Sequence, residues 1–204
     1  MRLRREFLTP VARTDVDDYV RHLVLTIECF DKDCATAYIV GKLAMDQILL
    51  SDAIADGVSL FEICDNDYQG LQKAHLILTN GRDSFRPDLG IKEPSTHAMF
   101  LHGAVFHPSI HAYRQGILNT AFNLFGGESL TLMWQDASGL AELELAELGF
   151  KKIAGEALIF RHSALRTPFS DRHPLGQEAD VEALPEYEEW VMKAWQQFKE
   201  VAED

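Results

Sequence analysis

The residues best suited to chemistry lie between positions 97 and 121, where a β-prone run passes through a polar turn into a helical pattern. The first N–H groups of a helix have no partner within the helix, and the helix dipole adds partial positive charge at the same end. Gly116, near the predicted helix start, lets the backbone approach a ligand closely. These features are typical of phosphate sites, so the sequence predicts that this turn binds a phosphate group.

The histidines of the same stretch do not predict a metal site. On an extended strand His97 and His107 share a face but lie roughly 33 Å apart, and His102 points to the opposite face. The three cysteines, at positions 29, 34 and 64, include no C-x-x-C pair. The chain also lacks a G-x-S-x-G turn, so we expect neither a bound metal nor a serine nucleophile.

The order of elements around the turn resembles the C-terminal half of the GNAT superfamily of N-acetyltransferases. The resemblance covers about residues 97–163. It rests on the strand that ends at His107-Pro108, the helix that follows Gly116, and the closing Leu148-Gly149-Phe150. It implies a GNAT-like α/β fold, in which a mixed, mostly antiparallel sheet of about six strands is flanked by helices.

In that family the strand before the turn diverges from its neighbour, and acyl-coenzyme A lies in the V-shaped gap with its pyrophosphate on the amides of the turn. The resemblance therefore implies acetyl-CoA, or another acyl-CoA, as co-substrate of an N-acyltransferase. By position, the amides that would hold the pyrophosphate belong to Gln115, Gly116, Ile117, Leu118, Asn119 and Thr120. By position, the residues beside the pantetheine arm are Ala104, Val105 and Phe106.

The chain departs from the family pattern at three positions. Tyr113 replaces an arginine or glutamine, and Leu118 replaces a glycine or alanine. Leu145 stands where many members carry the tyrosine that protonates the leaving thiolate. These departures favour an alternative, in which the chain is a catalytically silent GNAT-like module that binds a protein partner or senses a ligand.

Transfer of an acyl group to an amine needs a base, and a histidine titrates near neutrality. His102 looks like the catalytic histidine on the corresponding strand of aralkylamine-type acetyltransferases. A histidine hydrogen-bonded in or near the core is the alternative interpretation. Glu62, on the preceding β-prone run, is a second candidate base.

The first third of the chain shows helical spacing. Apolar residues recur every three to four positions over 16–30, after Thr14 or Asp15 as a cap, and a mostly apolar run over 34–55 ends at Gly57. We expect two helices there, the second of which could line a wider acyl channel. Short β-prone runs at 59–64 and 75–79 then predict a hairpin, and residues 80–95 predict a loop that faces the substrate.

The second half alternates between strand and helix signals. The predicted strands are 97–107, 129–134 and 156–161, and the predicted helices are 116–125 and one that begins at Asp136 and ends at Gly149. We expect residues 1–163 to form one acetyltransferase-like domain and 164–204 an acidic tail. Pro185 can begin a last helix, whose apolar stripe docks on the chain itself or on a second copy in a homodimer. The stripe consists of Val191, Ala194, Trp195, Phe198 and Ala202.

Composition limits the partners. The 204 residues carry 19 Lys and Arg against 32 Asp and Glu, a net charge of −13, which disfavours nucleic acid and anionic lipid surfaces. No apolar run approaches the roughly 20 residues that span a bilayer, and the N-terminus has no secretory signal pattern, so we expect a cytoplasmic protein. The acidic charge favours a cationic acceptor, such as a small amine or a lysine-bearing or N-terminal peptide.

Overall fold

The computed structural model of the chain describes residues 1–7, 15–67, 69–80, 84–91, 96–126, 129–162 and 182–202. Seven strands form one sheet: β1 (Arg2–Phe7), β2 (Val20–Phe30), β3 (Ala37–Ile48), β4 (His97–Phe106), β5 (Ser129–Trp134), β6 (Lys151–Lys152) and β7 (Leu158–His162). The α-helices are α1 (Leu50–Asp56), α2 (Leu60–Asp67), α3 (Gln69–Leu78), α4 (Arg114–Gly126), α5 (Glu142–Glu147) and α6 (Pro185–Ala202). Three 3-10 helices span Val16–Tyr19, Pro87–Leu89 and Pro108–Tyr113.

The strands lie in the order β1-β2-β3-β4-β5-β7-β6. Neighbouring strands are antiparallel except for β4 and β5, which run parallel. This arrangement confirms an α/β fold with a mixed, mostly antiparallel sheet, with seven strands rather than about six.

Helices cover both faces of the sheet. Met99, Leu101 and Met133 share one core with α4 and α5, and we call this side the α4 face. Ala98 and Phe100 share a second core with α1, α2 and α3, which lies on the side we call the α3 face. Because successive side chains of a strand point to opposite faces, β4 is buried on both sides.

The prediction of two helices in the first third of the chain is wrong. Residues 16–30 form a 3-10 helix, which Asp15 caps, followed by β2. Residues 34–55 contain β3 and most of α1, and only the C-cap at Gly57 is confirmed, with φ of 76°. Strands β2 and β3 have buried residues on both faces, so apolar residues do not alternate with polar ones and the strand signal is lost.

The hairpin predicted from residues 59–64 and 75–79 is also wrong, because these runs belong to α2 and α3. The predictions for the second half are confirmed for β4, α4, β5 and β7. The predicted end of α5 is confirmed as well, since Gly149 has φ of 85°. Helix α5 begins at Glu142 rather than after Asp136, which lies in a turn.

Helix α6 begins at Pro185, as predicted, and docks on the chain itself. It packs against β3 and β4, with Val191 and Trp195 buried. The Ala183 N–H donates to the Phe30 carbonyl, and Glu188 accepts a hydrogen bond from the Ile39 N–H, so the start of the helix is also fastened to the sheet.

Candidate functional site

Three polar side chains form a row across three neighbouring strands. His22 of β2 lies directly opposite Asp46 of β3, and His102 is on β4. The distance from His22 Nδ1 to Asp46 Oδ1 is 2.7 Å, and that from His102 Nε2 to Asp46 Oδ2 is 2.5 Å. Each carboxylate oxygen of Asp46 therefore has its own histidine.

A β-bulge places His102 in this row. Ala44 pairs with Gly103 and Met45 with Leu101, which leaves His102 as the extra residue of β4. Bulges re-aim side chains and are frequent beside active sites. The direct partner of Asp46 across the strands is Phe100, and His102 lies two residues further along β4, in a diagonal position. The bulge brings the His102 imidazole within reach of the Asp46 carboxylate.

Asp46 is almost completely buried, with 2% of its side chain exposed, whereas His102 is 24% exposed and His22 69%. Burial tends to raise the pKa of Asp46, but the hydrogen bonds from His102 and His22 outweigh it, so the pKa lies below its ordinary value. The buried carboxylate is thus ionised at neutral pH, between one histidine that is largely exposed and one that is partly enclosed.

The pairing of β4 with β5 ends at the same place. Their parallel ladder covers His97–Leu101 on β4 and Ser129–Met133 on β5. Residues 103–106 continue β4 beyond that ladder and stay paired with β3, whereas β5 ends at Trp134. His102 is therefore the first residue of β4 past its ladder with β5.

Aromatic rings surround the bulge. Phe100 makes edge contacts with the rings of His102 and Trp134, at centroid distances of 5.3 and 6.3 Å. The backbone of Gly103 lies against Phe198 of α6. A site at the bulge would therefore have apolar walls on either side of one polar pair.

The predicted residues beside the pantetheine arm, Ala104, Val105 and Phe106, are the last three residues of β4, within the part that extends past β5. Phe106 is buried in the α4-face core, and Ala104 packs against the same core. The structure thus places them in the part of β4 that lies beyond the ladder with β5.

The predicted phosphate turn differs from the expectation in shape. The 3-10 helix over Pro108–Tyr113 runs directly into α4, so there is no open turn before Gly116. The amides of Leu118, Asn119 and Thr120 lie beyond the first turn of α4, where each donates to a carbonyl four residues earlier. Since α4 begins at Arg114, the Ile117 amide likewise donates to the Tyr113 carbonyl, and of the six predicted amides only those of Gln115 and Gly116 precede the first such bond.

The side chains of this segment are mostly structural. Ile117 and Leu118 are buried in the α4-face core. Asn119 is buried and accepts a hydrogen bond from Arg161 at 3.1 Å, and the Thr120 hydroxyl donates to the Gly116 carbonyl. Gln115 donates to the Glu144 carbonyl and to the Glu147 carboxylate.

Arg114, at the start of α4, was not predicted as a site residue. Its guanidinium forms an ion pair with Glu144 at 3.0 Å. Its Nε is buried and has no hydrogen-bond partner in the part of the chain that the structure describes. An unsatisfied buried donor at a helix N-terminus fits an anionic ligand, and the residues here therefore suit a phosphate group.

Glu62 is not placed as a base of this site. It lies in the first turn of α2, not on a strand, and is exposed. Its carboxylate accepts a hydrogen bond from the Ser59 N–H, and this bond, together with one from the Ser59 side chain, lowers its pKa. The Ser59 hydroxyl accepts a hydrogen bond from the Glu62 N–H in return, as in a capping box, so Glu62 serves the helix start.

Sequence reasoning missed Asp46 and His22. The available signal was a carboxylate inside the apolar run 43–50, since an acidic residue in such a run requires a buried partner. No three His, Cys, Asp or Glu side chains within the described ranges are arranged to hold a metal ion. None of the described helices has the length and apolar character needed to cross a membrane.

Comparisons of the chain with protein-family models, with curated proteins and with solved structures found no match in any of the three. Its function must therefore be inferred from the geometry of the site.

Proposed function

We propose that the protein is an acyl-CoA-dependent N-acyltransferase with a GNAT-like fold, which transfers an acyl group directly from a thioester to an amine. The observation that carries the proposal is the position of His102. A histidine hydrogen-bonded to a buried carboxylate lies where the ladder between the parallel strands β4 and β5 ends. In the GNAT arrangement that the sequence resembles, the acyl thioester lies between these two strands, beyond the end of their ladder.

Two further observations support a binding site for the acyl-CoA donor. Beyond Leu101, β4 extends past the ladder with β5, which offers backbone polar groups to a pantetheine arm. The N-terminal turn of α4 supplies the amides of Gln115 and Gly116, and Arg114 adds a positive charge with its unsatisfied Nε. We assign the pyrophosphate to these groups.

In the proposed reaction the thioester supplies an activated acyl group, and the chain provides the base. The C–S bond of the thioester breaks, a C–N bond forms to the acceptor nitrogen, and His102 accepts the proton that the nitrogen loses. The electron pair of the broken bond leaves on sulfur, and the thiolate takes a proton from solvent and is released as the thiol. Acetyl-CoA is the simplest donor.

The acceptor that we propose is a primary amine, either of a small molecule or of a peptide. The net charge of −13 attracts cations over long range, and the ammonium gives one proton to solvent before the neutral amine attacks and gives the second to His102. The catalytically silent module remains the alternative. Leu118 gives it no support, because this side chain is buried in the core and does not occupy the start of α4.

Calorimetric titration with acetyl-CoA and with free CoA tests the donor site. We expect micromolar binding of both, weakened about tenfold or more by Arg114→Met, because a charge-assisted contact to phosphate is lost. Arg86→Met is the matched control, since Arg86 is similarly exposed and also forms one ion pair, with Asp88. No binding at millimolar concentrations would contradict the proposal.

A screen of amine acceptors, read as release of free CoA thiol, tests the chemistry. We expect His102→Ala to lower kcat about 100-fold or more without a comparable change in affinity for acetyl-CoA. Binding of CoA without turnover of any amine would favour the silent module.

A further inference from the structure

We infer that Asp46 is the positioning residue of this site: it holds the His102 ring by Nε2–H, so that Nδ1 is the atom that accepts the proton, and it balances the charge of the imidazolium that forms. This inference deepens the proposed function and rests on it. It concerns a residue far from His102 in sequence, on a different strand.

The first step of the argument is the charge of Asp46. Its carboxylate is buried, and its pKa is held below the ordinary value by its two histidines. An ionised carboxylate only accepts hydrogen bonds. Both nitrogens in contact with it, His22 Nδ1 and His102 Nε2, must therefore carry a hydrogen.

The second step follows from the chemistry of imidazole. A neutral ring has one N–H, so a His102 that donates from Nε2 carries no hydrogen on Nδ1. Nδ1 is then the basic atom, on the side of the ring away from Asp46. When Nδ1 gains a proton, the positive charge forms at 2.5 Å from a carboxylate that water does not screen.

The third step concerns His22, which contacts the other oxygen of Asp46 at 2.7 Å and is largely exposed. His102 alone would leave one oxygen of the Asp46 carboxylate without a hydrogen bond. The hydrogen bond from His22 to that oxygen helps to compensate for the free-energy cost of burying the charge. His22 thus supports Asp46 and not His102 directly. Replacement of His22 would remove one of the two hydrogen bonds to the buried carboxylate.

Nitrogen-15 NMR of histidine-labelled, unliganded wild-type protein at mildly alkaline pH tests the tautomer without any substrate. The His102 signals are assigned by their loss in His102→Asn. We expect the proton of the neutral His102 ring on Nε2. A His102 ring with its proton on Nδ1 overturns the inference, whether or not the protein transfers acyl groups.

Kinetics with acetyl-CoA and an accepted amine test the role. We expect Asp46→Asn to lower kcat about 100-fold or more while the KM for acetyl-CoA stays within about threefold, and Asp46→Glu to recover part of the loss. Glu28→Gln is the control, because Glu28 is another buried carboxylate, held by Arg2 instead of a histidine. A kcat for Asp46→Asn within about threefold of wild type overturns the inference.

The two proposals fail separately. An Nε2–H ring at His102 in a protein that binds no acyl-CoA contradicts the proposed function and leaves the Asp46–His102 arrangement intact. If Asp46→Asn does not fold, the wild-type tautomer and the activity of Asp46→Glu still decide the question.

Discussion

Phe198 of α6 lies directly against the backbone of Gly103 in β4. A Cβ on residue 103 would come within 2.3 Å of Phe198 Cε2 and 2.7 Å of its Cζ. Both residues adjoin the bulge that carries His102, so the C-terminal helix is seated against the strand that forms the candidate site. Glycine is required here by close packing, not by a left-handed backbone conformation.

Gly103→Ala should therefore destabilise the protein. The added methyl group forces the ring or the helix to move, and overpacking of this kind costs about 1–3 kcal/mol in the free energy of unfolding. Urea denaturation of Gly103→Ala, Phe198→Ala and the double variant measures the effect. We expect the cost of Gly103→Ala to disappear in the Phe198→Ala background; an equal cost in both backgrounds would show that Phe198 is not the obstacle.

Asn119→Ala should lower stability without weakening acyl-CoA binding. The Asn119 side chain accepts a hydrogen bond from the buried Arg161, and loss of a hydrogen bond to a charged group costs about 1.5–3 kcal/mol. Chemical denaturation and calorimetry with acetyl-CoA measure the two quantities. Asn123→Ala is the matched control, because Asn123 accepts from the same guanidinium in a more exposed position. Weaker binding of acetyl-CoA at an unchanged free energy of unfolding would show that the Asn119 side chain contributes to the ligand site.

His107 should make stability depend on pH. Burial, and then the nearby His111, lower its pKa from the ordinary 6.5, while Glu186 opposes them. The neutral ring accepts a hydrogen bond from the Ser109 N–H at Nδ1 and stacks on Tyr187 of α6. Because the folded state disfavours protonation, the stability it contributes is complete above pH 6.5 and is lost as the pH falls from there toward the lowered pKa.

The measurement is the free energy of unfolding of wild type and of His107→Asn, from about pH 7 to about pH 5. Asparagine also caps a helix but does not titrate in this range. We expect the stability difference between wild type and variant to decrease on acidification. A constant difference would show that protonation of His107 is not coupled to folding.

Glu62→Ala should leave acyl transfer unchanged and slightly lower stability. The carboxylate accepts a hydrogen bond from the Ser59 N–H at the start of α2, so the substitution removes a cap and not a base. Ser59→Ala is a matched control, since it removes the reciprocal hydrogen bond of the same cap. A loss of kcat in Glu62→Ala but not in Ser59→Ala would restore Glu62 as a candidate base.

The predictions that held depend on local chemistry. Gly149 has the left-handed conformation that ends α5, and Pro185 begins α6, because the backbone preferences of glycine and proline act within one turn. Strand β5 was predicted with its exact bounds, since a short β-branched and apolar run between turn residues has few alternatives. The strand that carries His102 is confirmed, whereas the role of His102 as a base, taken from the family resemblance, stays a prediction.

The sequence alone determined the elements of the second half, the start of the last helix and one histidine of the site. Only the tertiary structure decided that β2 and β3 are strands, because burial on both faces removes the alternation that marks a strand. It also decided the partners of His102. Asp46 is 56 positions away from His102 and 24 from His22, and strand register together with the bulge at His102 brings the three together. Register depends on the packing of whole strands, so no local signal in the sequence encodes this contact.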